Sequence, residues 1–315
     1  MINAKPTARS PQLVLRFSQL TRWLHRLPFE FWMLLPAVIV LLAITIYPTL
    51  YMLYMSSIEY STLPQVPSRF IGLENWRAMF LDRAVWDSWA KTVIYFFSGL
   101  VLQLFLGTLI ALLIERTPIL QDFLATALLS PMFLAPVLVG LLWRFLLHDS
   151  YGVYAYLLRE IGILGKTSLF GNIRTAMPTV ILMDTWEWTP LIMIVVLSGL
   201  RALPSDIVEA AEVDGASYFQ QLRYITLPLL KPIFVVALLV RSMDLLRFID
   251  HLMVTTAGGP ADATKILAIR IYENAFRFYK LGYASTLAIT LLIVIIILGR
   301  MFINVLGIEK AEAEL

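Results

Sequence analysis

Apolar residues are gathered into runs of a length that crosses a bilayer, for which a helix needs about 20 mostly apolar residues. Three runs, 31–55, 92–114 and 123–143, contain no Asp, Glu, Lys or Arg, and a fourth, 284–299, continues past Arg300 to Ile308. Two more, about 177–200 and 232–254, are apolar but interrupted by charges. The pattern predicts an all-α integral membrane protein with six spans, at about 31–55, 90–114, 122–147, 177–200, 232–254 and 283–306, in one transmembrane domain over 31–308. Six spans return the chain to the side on which it started.

The polar segments set the orientation. Residues 1–30 carry Lys5, Arg9, Arg16, Arg22 and Arg26 against Glu30 alone. The positive-inside tendency places this basic segment, and with it the 309–315 tail, in the cytoplasm. Elsewhere Lys and Arg are nearly balanced between the two sides, so the orientation rests on the N-terminus. Leu13, Phe17, Leu20, Leu24 and Leu27 recur at helical spacing, with Arg16, Arg22 and Arg26 between them. That spacing predicts an amphipathic helix on the membrane surface, with a loosely ordered basic leader as the alternative. No short apolar core with a small-residue cleavage site after it is present, so a removable signal peptide is not expected. The outer loops, about 56–90, 148–176 and 255–282, have room for short surface helices but not for a catalytic domain.

Composition narrows the class. Of 315 residues 59% are hydrophobic and 15% charged, and the mean hydropathy of +0.77 is far above that of a chain with a solvated surface. With no Cys, disulfide frameworks, thiolate metal sites and Cys nucleophiles are excluded. His25, His148 and His251 are scattered and predict no metal site. A net charge of +3, much of it near the N-terminus, gives no case for nucleic acid.

Candidate chemistry lies in the two charged spans. The fourth carries Asp184, Trp186, Glu187 and Trp188; the fifth carries Arg241, Asp244, Arg247 and Asp250 at three-residue steps. Four charges near the bilayer centre oppose insertion by roughly 10 kcal/mol before any pairing, so they cannot face lipid. The i, i+3 spacing predicts pairing of Arg241 with Asp244 and of Arg247 with Asp250. Counting about 1.5 Å per residue from the outer surface, Glu187 lies about 15 Å deep and Arg247 about 10 Å. Carboxylate, guanidinium and Trp at shared depth suit a polyhydroxylated solute, with aromatic faces for C–H surfaces and charged groups for hydroxyls. The alternative is that the charges only lock helices together.

Enzymatic motifs are lacking. Gly165-Lys166-Thr167 has the ending of a phosphate-binding loop, but the first Gly that loop needs is replaced by Glu160. No Gly-x-Ser-x-Gly elbow, His-Glu-x-x-His or paired-acid cleft stands out. Inverted repeats and matching broken spans, which would point to a self-sufficient secondary carrier or channel, are not seen.

The polar stretch 204–231 interrupts the apolar pattern with a helix, a break at Gly215 and a second helix expected to end near Pro228. Ala210 and Ala211 permit close approach by another surface, and Glu209 offers an ionic anchor: the form is that of a docking element. Here the residues resemble a known family. Glu209-Ala210-Ala211, Gly215, Ile225 and Leu227-Pro228, with Asp214-Gly215-Ala216, match the EAA loop of bacterial ABC importer permeases. Phe70-Ile71-Gly72-Leu73-Glu74-Asn75-Trp76, the Arg241–Asp250 stretch followed by Thr256-Ala257-Gly258-Gly259-Pro260, and Gly282-Tyr283-Ala284-Ser285 resemble its maltose-type carbohydrate branch.

The resemblance implies a type I ABC importer permease fold in a bacterial inner membrane, with a cytoplasmic coupling helix in which Glu209, Ala210, Ala211, Asp214, Gly215 and Ala216 contact an ATPase. It implies a second permease subunit, an ABC ATPase dimer that binds ATP and Mg, and an extracytoplasmic solute-binding protein. No cofactor and no catalysis are expected of this chain itself, and its cargo is a carbohydrate, with a polyol, glycerol phosphate or osmolyte as alternatives. The maltose permease has extra N-terminal spans and a large outer domain that are missing here, so maltose is not implied.

Overall fold

The computed structural model describes residues 29–61, 67–117, 119–163 and 168–306. The basic N-terminal helix, the Gly165-Lys166-Thr167 stretch and the 309–315 tail expected from the sequence lie outside them. The chain divides into two compact units after Tyr54. The first contains most of helix α1, Phe29–Ser56, which tolerates Pro36 and Pro48 within it and stacks Tyr47 on Tyr51 at 6.2 Å.

The second unit begins with a short hairpin, β1 Ile58–Glu59 against β2 Arg69–Phe70, antiparallel with Ile58 opposite Phe70. The Phe70–Trp76 motif is a structural clip. Gly72 turns the chain at φ +60, a conformation that suits glycine, and Asn75 donates from Nδ2 to the carbonyls of Ser56 (2.9 Å) and Ile58 (3.2 Å). Helix α2, Glu74–Leu81, leads through Asp82 into α3, Arg83–Glu115; the Asp82 side chain caps α3 by accepting from the Ala84 N–H at 2.9 Å. Asp82 also accepts from the Tyr283 hydroxyl at 2.9 Å, and an atom added at Gly282 would fall 1.9 Å from the Ile58 carbonyl. The Phe70–Trp76 and Gly282–Ser285 motifs, far apart in sequence, thus meet.

The expected third span is two helices, α4 Gln121–Leu129 with a 3-10 turn Ser130–Phe133, then α5 Pro136–Leu146, bent by 92°. Pro131 and Pro136 lie at the starts of helical segments, and the break between them is extended at Leu134 and Ala135; Ala135 directly precedes Pro136, which disfavours the helical region for it. A short outer helix, α6 Val153–Glu160, precedes α7, Ala176–Arg201, the most enclosed of the long helices. After it come α8, Ser205–Val213, and α9, Tyr218–Gln221, which runs on through a π turn (Leu222–Thr226) to Leu229. Helix α10, Lys231–Arg247, and α11, Asp250–Thr255, replace the single expected fifth span, because Phe248 is extended. Helix α12, Leu267–Tyr272, leads by a second π turn to α13, Leu281–Leu306. Four of these helices are long and apolar enough to span a membrane, and six spans result if each bent pair counts as one.

The second helix of the polar stretch ends at Leu229, near Pro228 as expected from the sequence, although Pro228 itself still lies within it. The π turn bonds Leu227 N–H to the Leu222 carbonyl, so the register has already shifted where proline's missing N–H falls, and after Leu229 the chain bends 60° into α10.

Packing centres on α3 against α7. Tyr95, Phe96, Gly99, Leu100, Gln103, Gly107, Ala111 and Ile114 recur at three- and four-residue steps along the buried face of α3. Gly107 is required by contact: an added Cβ would lie 2.7 Å from Ile192 Cβ and 3.0 Å from the Met193 backbone nitrogen. Two apolar clusters result. One gathers Tyr95, Leu100, Met183, Leu245 and Leu252; the other gathers Ala111, Ile114, Ile192, Leu197, Leu230 and Ala237.

Beyond α11, Ala257, Gly258, Ala261 and Asp262 all take positive φ in a tight outer turn. Thr264 closes it, donating to the Gly259 carbonyl at 2.8 Å, and Lys265 bridges Asp262 (2.7 Å) and Glu273 (2.9 Å). Burial works against the charge on Lys265, but its hydrogen bonds to the two carboxylates outweigh this and hold it protonated above its ordinary value. The bond from Lys265 holds the Asp262 carboxyl below the usual carboxylate range.

Two predictions follow from these contacts. Gly107→Leu is expected to destabilise the protein by about 1–3 kcal/mol, and Gly107→Ala by less, read as lowered Tm in detergent. For the outer turn, the Asp262 contribution is present above the unfolded carboxylate pKa and lost as pH falls through the lowered folded value. The Lys265 contribution is present below the unfolded lysine pKa and lost as pH rises through the raised folded value. A nitroxide at Ala261→Cys should therefore be immobile from about pH 4 to about pH 10 and loosen outside that window, whereas Lys265→Met should loosen it at every pH.

Candidate functional site

Three helices bring a fully buried polar side chain in between their contributions to the two apolar clusters: Gln103 on α3, Asp184 on α7 and Arg241 on α10. They meet in a polar layer. Arg241 NH2 lies 2.6 Å from both Asp184 oxygens, its Nε donates to Gln103 Oε1 at 2.7 Å, and its NH1 reaches Asp244 Oδ2 at 2.7 Å. Gln103 Nε2 donates to Asp184 Oδ2 at 2.7 Å, which closes the ring. Gly99 packs beside it: a Cβ there would stand 3.3 Å from Leu245 Cδ2 and at ordinary contact distance, 3.6 Å, from the Asp184 carboxylate. The Trp188 ring covers the guanidinium at 4.9 Å and leans on Phe248.

A second buried pair sits one turn along α7. Glu187 and His251, both fully enclosed, are joined through Oε2 and Nε2, which links α7 to α11. Glu187 Oε1 and His251 Nδ1 have no protein partner. The break after α10 places His251 there; had the fifth span been continuous, the ring would point elsewhere.

The remaining candidates divide. Trp186, 40% exposed, turns away from Glu187 to meet Trp143 edge-on at 5.9 Å, and lines an apolar cavity of about 370 Å³ with Leu182, Thr185 and Met193. Arg247 is 71% exposed and touches Asp244 at 3.4 Å. It does not pair with Asp250 as the spacing predicted, because α10 ends at Arg247 and Asp250 opens α11, so the i, i+3 relation is lost. Arg247 stands at an open cavity of about 330 Å³ with Ile249, Tyr272 and Phe276. Sequence reasoning missed Gln103, His251, Tyr272 and Phe276. The one side-chain amide in the apolar run 92–114 was a readable signal for Gln103; the others depend on helix breaks.

The docking stretch forms as a helix with a hard stop. After α8 the Gly215 N–H bonds the Glu212 carbonyl (3.0 Å) and the Ala216 N–H the Ala211 carbonyl (2.9 Å), a Schellman pattern with Gly215 at φ +78. An added Cβ at Gly215 meets nothing within 4 Å, so only its backbone conformation requires glycine. Glu209, Ala210 and Asp214 are exposed, Ala211 is buried and Ala216 half-buried. Ser217 and Gln220 form a capping box that starts α9.

A bundle of bent apolar helices with a charged layer at mid-span and one amphipathic helix between two spans defines a membrane transport subunit. Residues 78–306 match the family described as "Binding-protein-dependent transport system inner membrane component", and the chain belongs to that family. Among curated relatives, it is 35% identical over 274 residues to the sulfoquinovosyl glycerol transport system permease protein SmoG of Agrobacterium fabrum, covering 86% of this chain and 88% of that one. It is 32% identical to the trehalose/maltose transport system permease protein MalF of Thermococcus litoralis, over 85% of this chain and 89% of the relative. The fold is shared with a bacterial ABC transporter involved in the import of the acidic polysaccharide alginate, at TM-score 0.76, 20% identity, and 92% and 98% coverage. The fold is thus the type I importer permease fold.

Breaking the polar layer from one side leaves an unpaired buried charge. Asp184→Ala and Arg241→Ala are each expected to cost about 3–5 kcal/mol, and the double variant clearly less than their sum; thermal unfolding in detergent, compared across the cycle, is the check.

Proposed function

We propose that the chain is one of two transmembrane subunits of an ATP-driven importer that carries a carbohydrate inward by alternating access. The observation that carries this is helix α8: it presents Glu209 and Ala210 outward, stops abruptly at Gly215, and lies between two membrane helices of a chain whose sequence has no nucleotide-binding motif. ATP and Mg then belong to separate ATPase subunits seated on Glu209, Ala210, Ala211, Asp214, Gly215 and Ala216. With both termini in the cytoplasm of a bacterial cell, α8 is cytoplasmic and the turn at 257–266 faces outward, where a solute-loaded binding protein docks. ATP drives the cycle only if the ATPase dimer grips the two permease states unequally.

Sugar cargo is supported by the relatives, which are named for trehalose/maltose and sulfoquinovosyl glycerol transport. Among the charged candidates of the pathway two roles separate. Asp184 and Arg241 are saturated by each other, Gln103 and Asp244, and hold α3, α7 and α10 together. Arg241 therefore gives no argument for an anionic cargo. Arg247, exposed beside Tyr272 and Phe276, combines a guanidinium for hydroxyl groups with rings for C–H faces, and we assign it to the solute.

Glu209→Arg is expected to abolish copurification of an ATPase subunit and uptake of every sugar that the wild-type complex imports. A retained ATPase subunit, or ion-coupled flux from this chain alone in liposomes, overturns the importer reading. Arg247→Ala is expected to raise the KM for sugar uptake about tenfold, the factor for one lost charge-assisted hydrogen bond, with Tm unchanged.

A further inference from the structure

The end of α3 and the start of α4 touch the chain on either side of α8. Arg116, the C-cap of α3, lays its guanidinium over the Tyr218 ring at 3.3 Å from Cζ to centroid. Six residues on, Asp122 meets Arg201, the last residue of α7, at 3.5 Å. Tyr218 is the first residue of α9, just past the Gly215 stop, and Arg201 lies four residues before α8 begins. Helix α8 is therefore bracketed, before its start and past its end, by one short stretch of chain around the α3–α4 turn. The turn is stiffened from within: Gln121 Nε2 donates to Glu115 Oε2 at 3.0 Å, and Thr117 Oγ1 to the Ile114 carbonyl at 3.0 Å.

The two contacts are unequal. Asp122 is 96% exposed at its side chain and Arg201 45%, so solvent screens that ion pair and little force passes through it. Arg116 and Tyr218 are exposed as well, but at 3.3 Å the guanidinium lies over the face of the ring, whose quadrupole attracts it at short range. Tyr218 is itself anchored in a helix start fixed by the Ser217–Gln220 capping box. Along the chain, α8 is joined to α7 on one side and, through α9, to α10 on the other, so without this contact a displacement of α8 reaches α3 only by way of α7 and α10.

We propose that Arg116 and Tyr218 form a latch through which movement of α8 is delivered directly to α3, the helix that carries Gln103 of the buried polar layer. They are positioning residues: neither lies within the Glu209–Ala216 contact, and neither touches the solute. The inference rests on the importer reading, since it gives α8 something to be moved by. It adds that three helices, not two, receive the stroke together.

The chain has no Cys, so a single cysteine at Ile119, in the latch turn and 96% exposed, takes one solvatochromic maleimide. The complete importer, purified with its ATPase subunits and with their own reactive cysteines blocked beforehand, is titrated with ATP and vanadate, and the nucleotide-induced emission shift at Ile119→Cys is read. Tyr218→Phe, which keeps the ring face, is expected to retain the shift. Tyr218→Leu and, from the other side, Arg116→Gln are expected to reduce it about fivefold, as loss of one cation–π contact implies, with the ATPase still copurifying. Arg116→Lys is expected to keep a measurable share of it. Should Tyr218→Leu and Arg116→Gln both show the full wild-type shift, the latch is overturned while the importer reading stands. If no ATPase subunit copurifies with the wild type, the importer reading falls and the latch falls with it.

Discussion

Arg241 is the residue on which the rest of the structure depends. A guanidinium does not lose its proton at any accessible pH, so burying it obliges the fold to surround it with acceptors. Asp184, Gln103 and Asp244 do so from three helices. That requirement sets the height and rotation of α3, α7 and α10 against one another, because a slip of one residue on any of them would leave charge unpaired in a medium where it cannot be solvated. Apolar packing above and below the layer supplies area; the layer supplies register. Gly99 and Gly107 let α3 approach closely enough for both.

The same chain keeps its moving parts away from this layer. Proline pairs and π turns break the third span, the docking stretch and the passage into α13, while α3 and α7 run unbroken through the polar layer. A rigid centre with bent arms suits alternating access, in which a solute site must be presented to two sides without the bundle coming apart. Glu187 and His251 add a second buried tie, from α7 to α11, close to the break that separates α10 from Arg247 and its cavity.

Much of this was legible in the sequence. The apolar runs located the long helices, and the Glu209–Pro228 pattern located α8 and its stop, because a glycine flanked in that way closes a helix by local hydrogen bonds alone. The fate of the charges was not. Arg241 and Asp244 are neighbours on one helix, so spacing sufficed for that pair. Asp250 was misassigned because the sequence between it and Arg247 carries no proline or glycine to announce the extended Phe248. Likewise the bend in the third span was foreshadowed by Pro131 and Pro136, but not its 92° angle.

What the sequence determined by itself is what local physics determines: a membrane-spanning, predominantly helical chain with a helix–glycine–helix element in its polar stretch. Only the tertiary structure decided which charges are spent on holding helices and which stay open. Asp184 and Arg241 are separated by 57 residues and Glu187 and His251 by 64. No periodicity along the chain encodes such a meeting; it arises from helix rotation and breaks. Arg247 stays open for the same reason: one residue left the helical path and its expected partner went with it.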